Sequence, residues 1–150
     1  MKRPLLIVVA VVALLAISFG VARWLNNDTV ERAAVTRLLE AQARGDAAAM
    51  LRRLADCDDP ACIATVRRNA VQLRGKGDLK IALYQSPTAH AVTSKTRYTR
   101  VVWFTPDRLR RGDTRVQCVL VRRSGNVFAG MTVSLLRVTA SIDREGSCPA

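Results

Sequence analysis

An uninterrupted apolar run near the N-terminus constrains this chain more than any other feature. Leu5 to Ala22 contains 18 residues without a charge. As an α-helix this run is about 27 Å long, close to the roughly 30 Å of a bilayer's hydrocarbon core. Lys2 and Arg3 precede it, and Arg23 and Trp24 follow it. The run predicts a single membrane-spanning helix, residues 5–22, with the N-terminus in the cytoplasm and the remainder outside.

A cleaved signal peptide is the alternative interpretation of the same run. Gly20-Val21-Ala22 fits a small-x-small cleavage site, although the run exceeds the usual length of about 7–15 apolar residues. No cysteine follows closely, which excludes a lipoprotein anchor. Both interpretations export the rest of the chain, either membrane-bound or secreted. We therefore predict a cytoplasmic tip with an anchor or signal peptide over 1–25, and one exported domain over 26–150.

Four cysteines in the exported region predict two disulfide bonds, because exported domains fold in an oxidising environment. Three pairings exist, and we favour Cys57–Cys62 across an Asp-Asp-Pro turn and Cys118–Cys148 between a strand and the tail. A zinc site would need two closely spaced ligand pairs, and a redox pair would need C-x-x-C spacing. We therefore predict no metal and no cofactor.

The chain is strongly basic, with 24 Lys and Arg against 12 Asp and Glu. Such a balance favours anionic lipid head groups, wall polymers or nucleic acid as partners, or a solvated basic surface. The basic residues form small clusters along the chain, few aromatic residues lie among them, and no nucleic-acid motif is present. Nucleic acid is therefore not the partner that we expect.

Helical periodicity is followed by strand-like alternation along the exported region. A polar linker over 26–29 precedes a helix with Asp28 as N-cap and Glu31 at N3, and Asp46 and Asp59 are expected to cap two further helices. Strands follow in "LKIALYQS", "TRYTRVVWF", "TRVQCVLVRR" and "NVFAGMTVSLLRVTASI", with a weaker one in "HAVTS" and a hairpin turn at Ser124-Gly125-Asn126. This order predicts an α+β domain with helices packed on a curved antiparallel sheet.

The helix–Gly-Asp–helix segment "LLEAQARGDAAAMLRRL" and the closing strands "TRVQCVLVRRSGNVFAGMTVSLLRVT" resemble nuclear transport factor 2-like domains over residues 28–142. The resemblance implies a cone in which N-terminal helices pack into a strongly bent antiparallel sheet. This chain departs from the usual order by placing a third helix directly after the second. The anchor-plus-cone layout is also similar to small exported actinobacterial proteins. The superfamily contains both enzymes and binding modules, so the resemblance assigns no activity.

Catalysis on such a cone requires an acid or base on the concave side of the sheet. None of the 12 acidic residues falls within a predicted strand, and the only histidine, His90, has no carboxylate near it in sequence. His90 is therefore expected to lie at the surface or at a sheet edge, and we predict no catalytic residue.

Polar residues within the strands are candidates for lining a pocket, and strand alternation equally allows them to face solvent. They are Tyr84, Tyr98, Arg100, Gln117 and Ser134, with Arg137 as a further cation; Arg100 or Arg137 would suit an anionic ligand. We predict a non-catalytic binding domain with an unknown protein or small-molecule partner. The alternatives are an assembly subunit of an envelope-spanning secretion or conjugation complex, and an enzyme or carrier that uses the cone interior.

Overall fold

Three helices precede a four-stranded antiparallel sheet in the computed structural model, which describes residues 2–87, 94–126 and 130–149. The helices are α1 (Lys2–Arg44), α2 (Ala47–Leu51), α3 (Pro60–Gln72) and the single turn α4 (Pro106–Leu109). The strands are β1 (Lys80–Gln85), β2 (Lys95–Phe104), β3 (Arg115–Asn126) and β4 (Gly130–Val138). The predicted α+β class is confirmed.

Helix α1 is one continuous helix of 43 residues, about 64 Å long. The predicted polar linker over 26–29 is therefore wrong. Extending a helix costs far less than nucleating one, so a short run of weak helix formers between two good helical segments remains helical. As a consequence, Glu31 is an interior helix residue and not the third residue of a new helix.

The caps of the two following helices are confirmed. Oδ1 of Asp46 accepts a hydrogen bond from the Ala49 N–H, and Oδ1 of Asp59 accepts one from the Cys62 N–H, each at 2.8 Å. Helix α2 is shorter than predicted because its continuation pairs with the sheet. The Ala55 N–H donates to the Leu135 carbonyl of β4 at 2.7 Å. The pairing with β4 thus ends α2 earlier than the apolar periodicity of the sequence predicts.

The sheet is a meander in the order β1-β2-β3-β4, with every neighbouring pair antiparallel. The predicted hairpin turn at 124–126 belongs instead to β3, whose Asn126 pairs with Gly130. Most of the predicted short strand "HAVTS", including His90, lies outside the described residues.

The main core lies between one face of the sheet and the first three helices. Alternate residues of β2 and β3 supply the sheet side, and apolar residues of α1, α2 and α3 supply the other. The fully buried contributors include Val101, Trp103, Val119, Val121, Val35, Leu38, Leu39, Met50 and Val66.

The opposite face of the sheet is covered by the C-terminal tail. Ile142 pairs with Val116 of β3, and Cys148 is disulfide-bonded to Cys118, so the tail lies across the strands. Val116, Cys118 and Leu136 are each at most 3% exposed. The tail thus gives the sheet a second buried layer.

The backbone at Gly75, in the segment after α3, closely approaches the side chain of Thr105, which follows β2. A Cβ at Gly75 would lie 2.2 Å from Oγ1 of Thr105, whereas one at Gly20 would meet nothing within 4 Å. We expect Gly75→Ala to lower the free energy of unfolding by about 1–3 kcal/mol through overpacking. Denaturant unfolding of the full chain in detergent measures this, with Gly20→Ala as the control. Equal stability of the two variants would contradict the close approach.

Candidate functional site

A buried ion pair joins α1 to the sheet. Nε and Nη2 of Arg123 each lie 2.6 Å from Oε2 of Glu31, and both side chains are 0% exposed. Glu31 comes from the middle of α1 and Arg123 from the far part of β3. The pair lies on the helix-facing side of the sheet, because Val119 and Val121, at alternate positions before Arg123, belong to the main core.

The second carboxylate oxygen of Glu31 is also fully engaged. Its Oε1 accepts hydrogen bonds from Tyr84 Oη at 2.7 Å, Ser86 Oγ at 2.6 Å and Thr99 Oγ1 at 2.9 Å. One carboxylate therefore connects helix α1 to strands β1, β2 and β3 and to the residue that follows β1. We call these five residues the Glu31 cluster: Glu31, Tyr84, Ser86, Thr99 and Arg123.

The Glu31 cluster keeps its carboxylate ionised. Burial favours the neutral acid and acts to raise the pKa of Glu31, but hydrogen bonds from Ser86 and Tyr84 and the charge and hydrogen bond of Arg123 outweigh it. The pKa of Glu31 is consequently lowered. Such a carboxylate is a weak general base, and its lone pairs are already committed to donors within the protein.

Three features of the sequence conceal this cluster. The predicted linker places Glu31 in a helix cap, and Arg123 belongs, with Arg122, to one of the small basic clusters along the chain. An interior acid is expected within the strands, whereas Glu31 belongs to helix α1. The available signal was alternation, since Arg123 continues the buried series of Val119 and Val121.

A second buried polar group surrounds Gln117 of β3. Oε1 of Gln117 accepts from the Trp103 indole N–H at 2.8 Å and from Nε2 of Gln42 at 2.7 Å, and its own Nε2 donates to the Thr139 carbonyl at 3.0 Å. Asn69 of α3 donates to the same carbonyl at 2.9 Å. Gln117 therefore connects α1, the sheet and the tail inside the core.

Two further candidate residues, Tyr98 and Arg100, lie on the tail-covered face. They border a cavity of about 380 Å³ together with tail residues. Nε of Arg100 donates to the Gly146 carbonyl at 3.2 Å, and its Nη2 donates to the Arg144 carbonyl. Arg100 thus binds the tail of its own chain.

Of the remaining candidates, Arg137 borders a cavity of about 240 Å³ together with Tyr98, whereas Ser134 lies apart from both. Ser134 borders a groove of about 340 Å³ beside Arg37, Arg52 and Arg53. Arg137 forms an exposed ion pair with Asp59 at 2.9 Å. The five candidate pocket residues are therefore divided between the helix side of the sheet, the tail side and the β4 edge. His90 is not among the described residues.

A further groove lies where the C-terminal end of α1 and the segment after α3 meet α4. Its volume is about 560 Å³. We call it the distal groove, and it is lined by Ala43, Arg44, Arg74, Gly75, Lys76, Asp107, Arg108 and Arg111. Five of these eight residues are basic and one is acidic. A hydrogen bond from Thr105 lowers the pKa of Asp107, so this carboxylate is ionised as well.

Both predicted disulfides are present, Cys57–Cys62 and Cys118–Cys148. They indicate an oxidising, extracytoplasmic location for the domain. All four cysteines are consumed by these bonds. Across the described residues, no group of three or more His, Cys, Asp or Glu side chains is placed to hold a metal ion.

The first half of α1 is apolar and exposed. Large hydrophobic side chains from Leu6 to Val21 are between 49% and 68% exposed, including Leu6, Ile7, Leu14, Ile17 and Phe19. In the part of the chain that the structure describes, no helix has the combined length and apolarity required to cross a membrane.

Comparisons with known proteins identify no relative. No family model matches the chain, and neither a curated protein nor a solved structure matches it significantly. The functional argument therefore depends on the geometry described above.

Proposed function

We propose that this chain is a membrane-tethered, extracytoplasmic binding domain that acts without catalysing a reaction. The observation that carries the proposal is the division of α1 into two halves. Its first half exposes large apolar side chains, whereas its second half supplies core residues such as Leu38 and Leu39. One helix thus connects an apolar surface, whose exposure to water is unfavourable, to a disulfide-bonded domain.

The exposed apolar half supports a membrane anchor. Side chains at successive positions from Val11 to Leu15 include large hydrophobics that are 49% to 64% exposed. Successive positions point in different directions around a helix, so the apolar surface surrounds α1 and does not form one stripe. We propose that residues 5–22 span the membrane once, with Lys2 and Arg3 on the cytoplasmic side and the domain outside.

Binding is favoured over catalysis by the state of the Glu31 cluster. Its carboxylate is completely buried and accepts hydrogen bonds from Tyr84, Ser86, Thr99 and Arg123. A general acid or base must instead reach a substrate atom.

The helical layer over an antiparallel sheet also supports our proposal that the domain is a nuclear transport factor 2-like cone.

The tether is tested by producing the full chain in a bacterium with an oxidising periplasm and extracting its membranes with alkaline carbonate. We expect the wild-type chain to remain in the membrane at its full-length mass. Val9→Arg with Leu14→Arg should either release the chain from the membrane or prevent its insertion. Each arginine near the centre of the span costs about 2.5–3.5 kcal/mol in membrane insertion. Ala64→Arg with Ala140→Arg adds the same charge at exposed domain positions and is the control.

Two results would contradict the tether. A wild-type chain that carbonate extracts completely is not an integral membrane protein. A soluble product whose mass corresponds to cleavage after Ala22 would show that the apolar segment is a signal peptide and not an anchor. Non-reducing peptide mapping of the same material checks that Cys57–Cys62 and Cys118–Cys148 have formed.

A further inference from the structure

We propose that the distal groove docks an acidic segment of a partner protein. This inference rests on the proposed binding function and names the chemistry of the partner. The groove lies at the end of α1 that is farthest from the apolar half. Its basic side chains come from the end of α1, from the segment after α3, and from α4 and its following turn.

The position of the distal groove argues against lipid head groups as its counter-charge. Arg44 follows Ala22 by 22 residues of continuous helix, which corresponds to about 33 Å along the axis. The Debye length at physiological ionic strength is about 8 Å. Several Debye lengths therefore separate Arg44 from the end of the apolar segment. A partner that approaches the domain from outside meets this end of α1 directly.

Most of the groove's positive charge has no structural use in the described part of the chain. Arg108 does have one, because it pairs with Asp113 at 2.8 Å and donates to the carbonyls of Gln72 and Arg74. No ion pair is found there for the other four cations, which are all exposed: Arg44, Arg74, Lys76 and Arg111. Four cations around one groove repel one another, and an anionic occupant relieves that repulsion.

The neighbouring surface favours a protein segment over a uniform polyanion. A second groove of about 470 Å³ shares Ala43, Arg44 and Gly75 with the distal groove. It also presents Glu40 and Asp78 beside Lys80, together with apolar Leu79. A phosphate polymer extending into this region would meet two carboxylates. A peptide can place acidic residues at the distal groove and basic or apolar residues at its neighbour.

The floor of the distal groove is held in place before any partner binds. The Gly75 N–H donates to the Ala43 carbonyl at 3.0 Å, which joins the end of α1 to the segment after α3. Arg108 joins the end of α3 to α4 through its contacts with Gln72 and Arg74. A preformed site loses less conformational entropy on binding, and arginine forks match carboxylates in a bidentate manner.

Peptide selection on the full chain in detergent micelles tests the proposal. The probe is a displayed library of random peptides of about twelve residues, which covers up to roughly 40 Å when extended. We expect the enriched peptides to be acidic and to bind less tightly as salt is raised. Arg74→Ala with Arg111→Ala should weaken a selected peptide about tenfold or more, because charge-assisted hydrogen bonds are lost. Arg52→Ala with Arg53→Ala removes equal charge from another exposed surface and should leave its affinity unchanged.

Each alternative result overturns the proposal. Selection that yields no acidic peptide, or peptides that bind the two double variants equally, removes the distal groove as a docking site. Tripolyphosphate that binds the groove as tightly as the peptide would assign the groove to phosphate polymers, and mixed micelles containing anionic lipid that do so would assign it to lipid. Because detergent-solubilised chain is used, peptide binding can succeed or fail independently of carbonate extraction, which tests the tether.

Discussion

Replacing Glu31 by Gln is expected to lower the free energy of unfolding by about 3–5 kcal/mol, since it leaves a buried guanidinium without its counter-charge. Arg123 is 0% exposed and places two nitrogens 2.6 Å from the Glu31 carboxylate. Denaturant titration of the full chain in detergent measures the loss through the fluorescence of buried Trp103. A loss of this size accounts for much of the stability of a small domain.

Two further variants separate the ion pair from general packing damage. Glu40→Gln changes a half-buried carboxylate of the same helix and should alter stability by no more than about 0.5 kcal/mol. Glu31→Met with Arg123→Met removes both charges together. The double variant should lose clearly less free energy of unfolding than Glu31→Met and Arg123→Met lose in sum when each is made alone. Simple additivity would show that the two side chains do not act as a pair.

The same carboxylate gives stability a defined pH dependence. Its pKa in the folded protein lies below the unfolded value of about 4.5. The stabilising contribution is therefore complete above about pH 4.5 and is lost as the pH falls through the lower folded-state pKa. Stability measured against pH should show the wild-type chain and Glu31→Gln converging on the acid side of pH 4.5. A constant difference at all pH values would contradict the assignment.

Opening the Cys118–Cys148 disulfide by Cys118→Ala with Cys148→Ala is expected to cost about 3–4 kcal/mol. The sequence separation of the two cysteines is 30, and the loop-entropy relation converts a loop of that length into this range. The tail covers Val116 and Leu136 and is otherwise held by contacts such as those of Arg100. Loss of the bond should therefore also increase amide hydrogen exchange in β3.

The short disulfide is the matched control for this prediction. Cys57 and Cys62 are separated by only 5 positions, so Cys57→Ala with Cys62→Ala should cost about 2 kcal/mol by the same relation. Hydrogen exchange in β3 should then stay close to that of the wild-type chain. If the short bridge proves to contribute more than the long one, loop length is not what determines their stabilising effects.

Local patterns predicted the elements of this fold well. Alternation in β2 and β3, the caps at Asp46 and Asp59, and the preferred cysteine pairing all agree with the structure. These features depend on neighbouring residues or on short spacings. The polar run over 26–29 was misleading because helix propagation through a weak segment depends on the helical segments on both sides.

The candidate site could not be predicted in the same way. The Glu31–Arg123 pair joins residues 92 positions apart, and the bond between Gln42 and Gln117 joins residues 75 positions apart. The distal groove likewise forms only where the end of α1 and the segment after α3 meet α4. The periodicity of one element does not predict which side chains of a distant element will pack against that element.

The sequence by itself determined an exposed apolar segment, an α+β domain and two disulfides, because hydrophobic pattern and cysteine spacing act locally. Only the tertiary structure decided that Glu31 is the centre of a buried ionic cluster and that Arg44, Arg74 and Arg111 share one groove. The physical reason is that charge interactions depend on distance in space and on burial. Both quantities are set when the helices pack onto the sheet.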